Sequence, residues 1–235
     1  MVHGHVQNPL LPLLGTLQLL DSFFPSGLYT LSYGLEAFVA AGAVTDTTLA
    51  ALLADYLRYG VGLADSVALA CAHRAYDAGD LGLAAEADRR LSAVKLAREA
   101  RETSTRTGRQ LVSLTSQLFD DALLSDYAAR VKRGDMPGNH AVVLGLALAS
   151  QGSGRVEAVA GELYAFCVGF AGAAVRLAVI DHRRAQHLLH AIKPLIAEVA
   201  YAAADKDVCE IGGCLPLADI MAAHHERADI RLFMS

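Results

Sequence analysis

VEAVAGELYAFCVGFAGAAVRLAV, residues 156–179, decides the fold. It reads as an uninterrupted apolar helix built on Ala, Leu and Val, with no proline to end it. Gly161, Ala165, Gly169 and Ala173 recur every four positions and share one helical face. A stripe without side-chain bulk lets another backbone come close. It serves either a dimer contact or a central core helix. The charge-free part, Leu163 to Val175, is closely flanked by Glu157, Glu162 and Arg176. A membrane span needs ~20 mostly apolar residues, so a soluble core helix is the expectation.

The rest of the chain follows this pattern. Hydrophobic residues make up 54% of 235, Ala and Leu dominate, and Trp is absent. Ala and Leu lose little on entering a helix, whereas strands favour the β-branched and aromatic types that are sparse here. The expected fold is all-α, a single-domain bundle of about ten helices over residues 1–235. No Pro- or Ser-rich linker divides it. Helices are predicted from Asn8-Pro9 to Leu20, Leu28 to Ala41, Thr45/Asp46 to Tyr59 and on to Ala78, Ala84 to Thr103, and Gly108 to Phe119. Others cover Ala122 to Val131, His140 to Ser150, Arg184 to Ile192, Pro194 to Ala204 and Pro216 to His225. CEIGGC, residues 209–214, reads as a turn. Residues 1–8 are expected to form a mobile end. The tail 226–235 ends in an amphipathic run, and free tails are usually polar, so docking is expected.

The net charge of −5 and the pI near 6.0 argue against nucleic acid as a partner. The N-terminus has no basic stretch and no small-residue cleavage site, so a cytoplasmic protein is expected. Four scattered cysteines fit reduced thiols in that compartment.

Motifs for chemistry are missing. No Lys follows a Gly, so the chain lacks the phosphate-cradling loop of nucleotide hydrolases. There is no G-x-S-x-G elbow, no Glu-x-x-His pair of a di-iron bundle and no H-E-x-x-H. No catalytic residue is assigned. Metal ligation has weak candidates only. His3 and His5 suit nickel or copper but are two ligands on an end. His182, His187 and His190 read as solvated polar residues or as a carrier site, and His224-His225 point apart. Cys209 and Cys214 lack a second thiol pair. Lys95, Arg98, Arg101, Arg106 and Arg109, interleaved with Glu99 and Glu102, form either a solvated face or a dock for an acidic partner.

LQLLDSFFPSGLYTLSYGLEAFVAAGAVTD, residues 17–46, resembles the N-terminal signature of the urease accessory protein UreF family. Pro25, Gly27, Tyr29, Ser32, Gly34, Leu35 and Glu36 occupy its marked places. In order downstream, KLARE…TSTRTGRQL (95–111), NHAVVLGLALASQG (139–152), AAVRLAVIDHRRAQHLL (173–189) and PLADIMAAHHERADIRLFMS (216–235) are similar to further family segments. One departure follows Arg176-Leu177. The family's Pro-Leu-Gly-Gln-like turn is replaced by Ala178-Val179-Ile180-Asp181-His182, next to Arg183-Arg184.

The resemblance implies an all-helical homodimer without activity of its own. It implies a scaffold that bridges a UreD/UreH-like accessory protein and the GTPase UreG, coupling nucleotide state to nickel insertion into urease. Urease itself is then met through the complex, and nickel is handled by the complex with no tightly bound cofactor. It points to Pro25, Gly27, Tyr29, Ser32, Tyr33 and Glu36, and to Arg231, Leu232, Phe233, Met234 and Ser235, as partner-binding residues. The competing reading is a stand-alone helical nickel carrier using the histidines.

Overall fold

The computed structural model describes residue 8 and residues 10–28 and 31–225. Among these, eleven α-helices follow in chain order, with no strand. They are α1 (Leu10–Leu20), α2 (Leu35–Ala40), α3 (Leu49–Asp55), α4 (Asp65–Ala78), α5 (Leu81–Val94), α6 (Arg98–Leu118), α7 (Ala122–Arg133), α8 (His140–Ser150), α9 (Arg155–Arg176), α10 (His182–Ala204) and α11 (Pro216–His225). One contiguous core joins them.

α4 and α8 form the centre. Residues 141–149 of α8 are buried without a break, so the helix is apolar on every side and has neighbours all round. α4 packs on α8, α5, α9 and α10, and α6 covers the far side of α8. Leu53, Leu57, Leu69, Leu91 and Phe170 are fully buried, each stabilising by about 1.5–3 kcal/mol. α9 is long and apolar enough to cross a membrane, but half of its most apolar window is buried inside this fold.

Three helix boundaries differ from expectation. The helix expected from Leu28 begins only at Leu35, because Tyr33 and Gly34 take left-handed backbone angles, φ 55° and 77°. The break expected between Thr103 and Gly108 lies instead at residues 95–97. No Gly or Pro marks it. The Arg101 guanidinium, Nη1, donates to the freed carbonyls of Lys95 and Leu96, both at 2.6 Å. Gly108 stays helical because the 138–140 backbone crosses there. A Cβ would sit 2.1 Å from the Gly138 oxygen. The pair expected on either side of Lys193 is one helix, α10, with Pro194 inside it. Pro194 is exposed, so the carbonyl it leaves unbonded can meet water. Finally, a π-helical turn at Tyr56–Gly60 separates α3 from α4.

Candidate functional site

The turn after α1 is tied to α9. Asp21 opens it, its Oδ1 accepting from the Phe23 amide at 2.7 Å. Gly27 supplies φ 83° and lies exposed beside Pro25. The chain then descends, and Ser32 is completely buried. The Tyr33 ring stands edge-on to Phe166 of α9, centroids 4.8 Å apart, and its carbonyl accepts from the Tyr56 hydroxyl at 2.8 Å. The Arg176 guanidinium donates to the Leu31 carbonyl at 3.2 Å.

The small-residue stripe of α9 receives these groups. A Cβ on Gly161 would lie 2.3 Å from Cδ1 of Leu20, and one on Gly169 would lie 2.7 Å from the Tyr33 hydroxyl. Ala165 is half-buried and Ala173 buried. Within one chain, therefore, the stripe seats the end of α1 and the tyrosine turn. Glu36 is half-buried at the start of α2. Tyr29, Arg231, Leu232, Phe233, Met234 and Ser235 lie outside the described residues, as do His3 and His5.

Between this turn, α6, α9 and α11 lies a cavity of about 970 Å³. Leucines, alanines and Phe166 line it together with charged groups that include Asp65, Lys95, Glu99, Glu162, Arg176 and Lys193. Lys95 Nζ pairs with Asp65 Oδ2 at 2.8 Å, both nearly enclosed. Beside them the Ser66 hydroxyl donates to Glu162 Oε2 at 2.9 Å. Burial, with the Asp65 charge nearby, pushes the Glu162 carboxyl up to about 8. Burial pulls the His140 imidazole down to about 4. It raises the Asp219 carboxyl and the Tyr33 and Tyr56 hydroxyls, and holds the Cys167 thiol at about 12. At neutral pH the Glu162 carboxyl is thus mostly protonated and the His140 imidazole neutral, beside the Asp65–Lys95 pair. Of these groups, sequence reasoning singled out only Tyr33, as a partner-binding residue, and Lys95, on the charged helix face. The available signal was a lone Glu within an apolar run and one of only four lysines.

The family model for UreF matches residues 44–193. The chain is 31% identical over 221 residues to the urease accessory protein UreF of Trichodesmium erythraeum, covering 94% of this chain and 95% of the relative. It is 30% identical over 222 residues to that of Yersinia enterocolitica, covering 94% and 97%. A urease accessory protein UreF 2 of Brucella canis is 31% identical over 223 residues, covering 95% and 92%. The chain belongs to the UreF family. It is a urease accessory protein by that membership, and the family resemblance read from its motifs holds.

Several of those UreF-like motifs serve the fold in this chain. Gly108 gives way to the 138–140 crossing, and Asn139 binds the buried Asp88 carboxylate. The 209–214 turn is stapled to the π-helical turn. Gly212 N donates to the Leu63 carbonyl at 3.0 Å and Cys214 N to the Tyr59 carbonyl at 2.9 Å. Arg90 holds the other side through the carbonyls of Cys209 and Ile211. His182, His187 and His190 are exposed along α10. Among the described residues no group of three or more His, Cys, Asp and Glu is arranged to hold a metal ion. On the arginine-rich helix, Arg98 pairs with Glu102 at 3.5 Å and Arg109 donates to the Pro137 carbonyl at 3.3 Å.

Proposed function

We propose that the chain is a non-enzymatic scaffold in urease maturation, bridging a UreD/UreH-like protein and a UreG-like GTPase so that GTP state is coupled to nickel insertion. UreF family membership over nearly the whole chain carries this reading. The chain works in the cytoplasm as a homodimer, without a tightly bound cofactor; nickel and the urease apoprotein are met through the complex. Its four free thiols suit that compartment. Pro25, Gly27 and Glu36, with Tyr29 and Arg231 to Ser235, form the partner surface, while Ser32 and Tyr33 set the turn from beneath.

Co-expression with UreD/UreH-like and UreG-like proteins tests this by size exclusion, with and without a GTP analogue. A three-protein complex that requires this chain and is lost on deleting residues 231–235 is expected. A chain that elutes apart from both proteins under every condition refutes the scaffold.

A further inference from the structure

Two buried polar side chains of the cavity, Glu162 and Ser104, have fewer hydrogen bonds than they can make. Glu162 is 9% exposed and lines the cavity, yet among the described residues its carboxyl receives only the Ser66 hydroxyl, on Oε2. Lys95 is committed to Asp65 at 2.8 Å. Arg176, in the same wall, donates to the Leu31 carbonyl. Ser104, 8% exposed and in the same wall, has a hydroxyl without a hydrogen-bond partner among the described residues. A buried carboxyl and a buried hydroxyl thus face a space far larger than one water molecule, with no base assigned to them. Leu17, Tyr164 and Val168 line the rim and remain 58%, 42% and 36% exposed, next to the exposed Asp21, Ser22 and Lys193. Exposed apolar side chains around a pocket mark a surface that meets another protein.

We propose that this cavity takes a basic side chain, Lys or Arg, carried on an apolar segment of a partner protein, with Glu162 as its counter-charge. The stem lies against Phe166 and its neighbours, the rim leucine and tyrosine cover the flanking apolar residues, and the Ser104 hydroxyl accepts a further N–H. A cation entering this site drives the Glu162 proton into solvent, because a buried pair is favourable only when both groups are charged. The groups facing Glu162 are the Asp65–Lys95 pair from α4 and the 95–97 break, His140 from α8, Tyr33 from the turn and Cys167 from its own helix. Asp219 of α11, Glu99 of α6, Arg176 at the end of α9 and Lys193 of α10 line the same cavity. His140 is neutral and Tyr33 and Cys167 are protonated between pH 6 and 8, while Glu162 changes state there. Cation affinity therefore rises with pH until the carboxyl is ionised in the free protein.

The test uses the isolated full-length chain, so its failure is separate from any failure of the three-protein assembly. Calorimetry measures binding of acetyl-Leu-Leu-Arg-Leu-amide, the same peptide with Gln for Arg, and free benzamidine, from pH 6 to 8.5. The Arg peptide is expected to bind at least about tenfold more tightly than the Gln peptide at pH 8. Its affinity should rise by about tenfold per pH unit below 8, with a proton released. Glu162→Gln, which keeps the side-chain shape, should equalise the two peptides. The wild-type pH series needs no variant. Equal binding of Arg and Gln peptides, or an affinity flat with pH, overturns the proposal. Benzamidine binding without Arg-peptide binding also overturns it, in favour of a small-amine site.

Discussion

Asp88 and Glu162 are both buried carboxyl side chains on core helices, and their surroundings are opposite. Asp88 is wholly enclosed and saturated. Its Oδ2 accepts from the Tyr127 hydroxyl at 2.8 Å and the Gly138 amide at 2.7 Å; its Oδ1 accepts from the Asn139 amide at 2.8 Å and side chain at 2.7 Å. Those donors replace the water lost on burial and pin the 137–139 loop and α7 to α5. Glu162 has one hydroxyl and faces a cavity. The same functional group is a fastener where its hydrogen bonds are complete and a site where they are not.

The largest expected effect is at the fastener. Asp88→Ala strips four donated hydrogen bonds of their acceptor and leaves their donors buried. Stability should fall by ~3–5 kcal/mol in urea unfolding. A loss under ~1 kcal/mol would erase the contrast between the two carboxyls.

The second effect is pH-dependent and belongs to Glu162. Its folded pKa, about 8, lies above the ordinary value of 4.5. The sign follows from linkage: the neutral buried acid is favoured, so this contribution is fully present below pH 4.5 and is lost as pH rises through 8. The complete difference is at most ~5 kcal/mol at the usual 1.36 kcal/mol per unit. Urea midpoints should therefore decline between pH 5 and 8.5 in the wild type. Glu162→Gln should remove most of that decline. A decline that survives the substitution would assign the alkaline sensitivity elsewhere.

Local chemistry explains which of these features were legible in the sequence. Ala- and Leu-rich runs showed the helical class, and α1, α8, α9 and α11 lie close to their expected limits. The turn at Tyr33-Gly34 was hidden because Leu28 to Ala41 contains no Pro after Gly27, and the left-handed backbone at Tyr33 is held by Tyr56, 23 residues away. The 95–97 break was hidden for a similar reason: a side chain in the next turn caps it. Pro194 misled because its position on the exposed side decides the outcome, and exposure is a tertiary property. The cavity cluster was least visible. Ser66 and Glu162 are 96 residues apart, and Asp65 and Lys95 are 30 apart. Each polar residue alone looks like an ordinary surface group at the edge of a helix. Only packing brings them together.

The smallest effect discriminates between two descriptions of the Glu162 hydrogen bond. If the Ser66 hydroxyl donates to Glu162, it helps the neutral acid modestly and the carboxylate more, since bonds to charged groups are stronger. The Ser66 bond accordingly draws the Glu162 pKa downward against burial. Ser66→Ala should then cost ~1 kcal/mol at pH 6 and about twice that at pH 9. It should also move the alkaline decline to higher pH, because the carboxyl loses the donor that favours its ionised form. If instead the protonated acid donates to the Ser66 oxygen, the hydroxyl serves the neutral form. The gap between the variant and wild type would then shrink as pH rises. Urea unfolding at the two pH values separates the cases. A widening gap would mean that Ser66 prepares Glu162 to carry charge, the state that a counter-charge site requires.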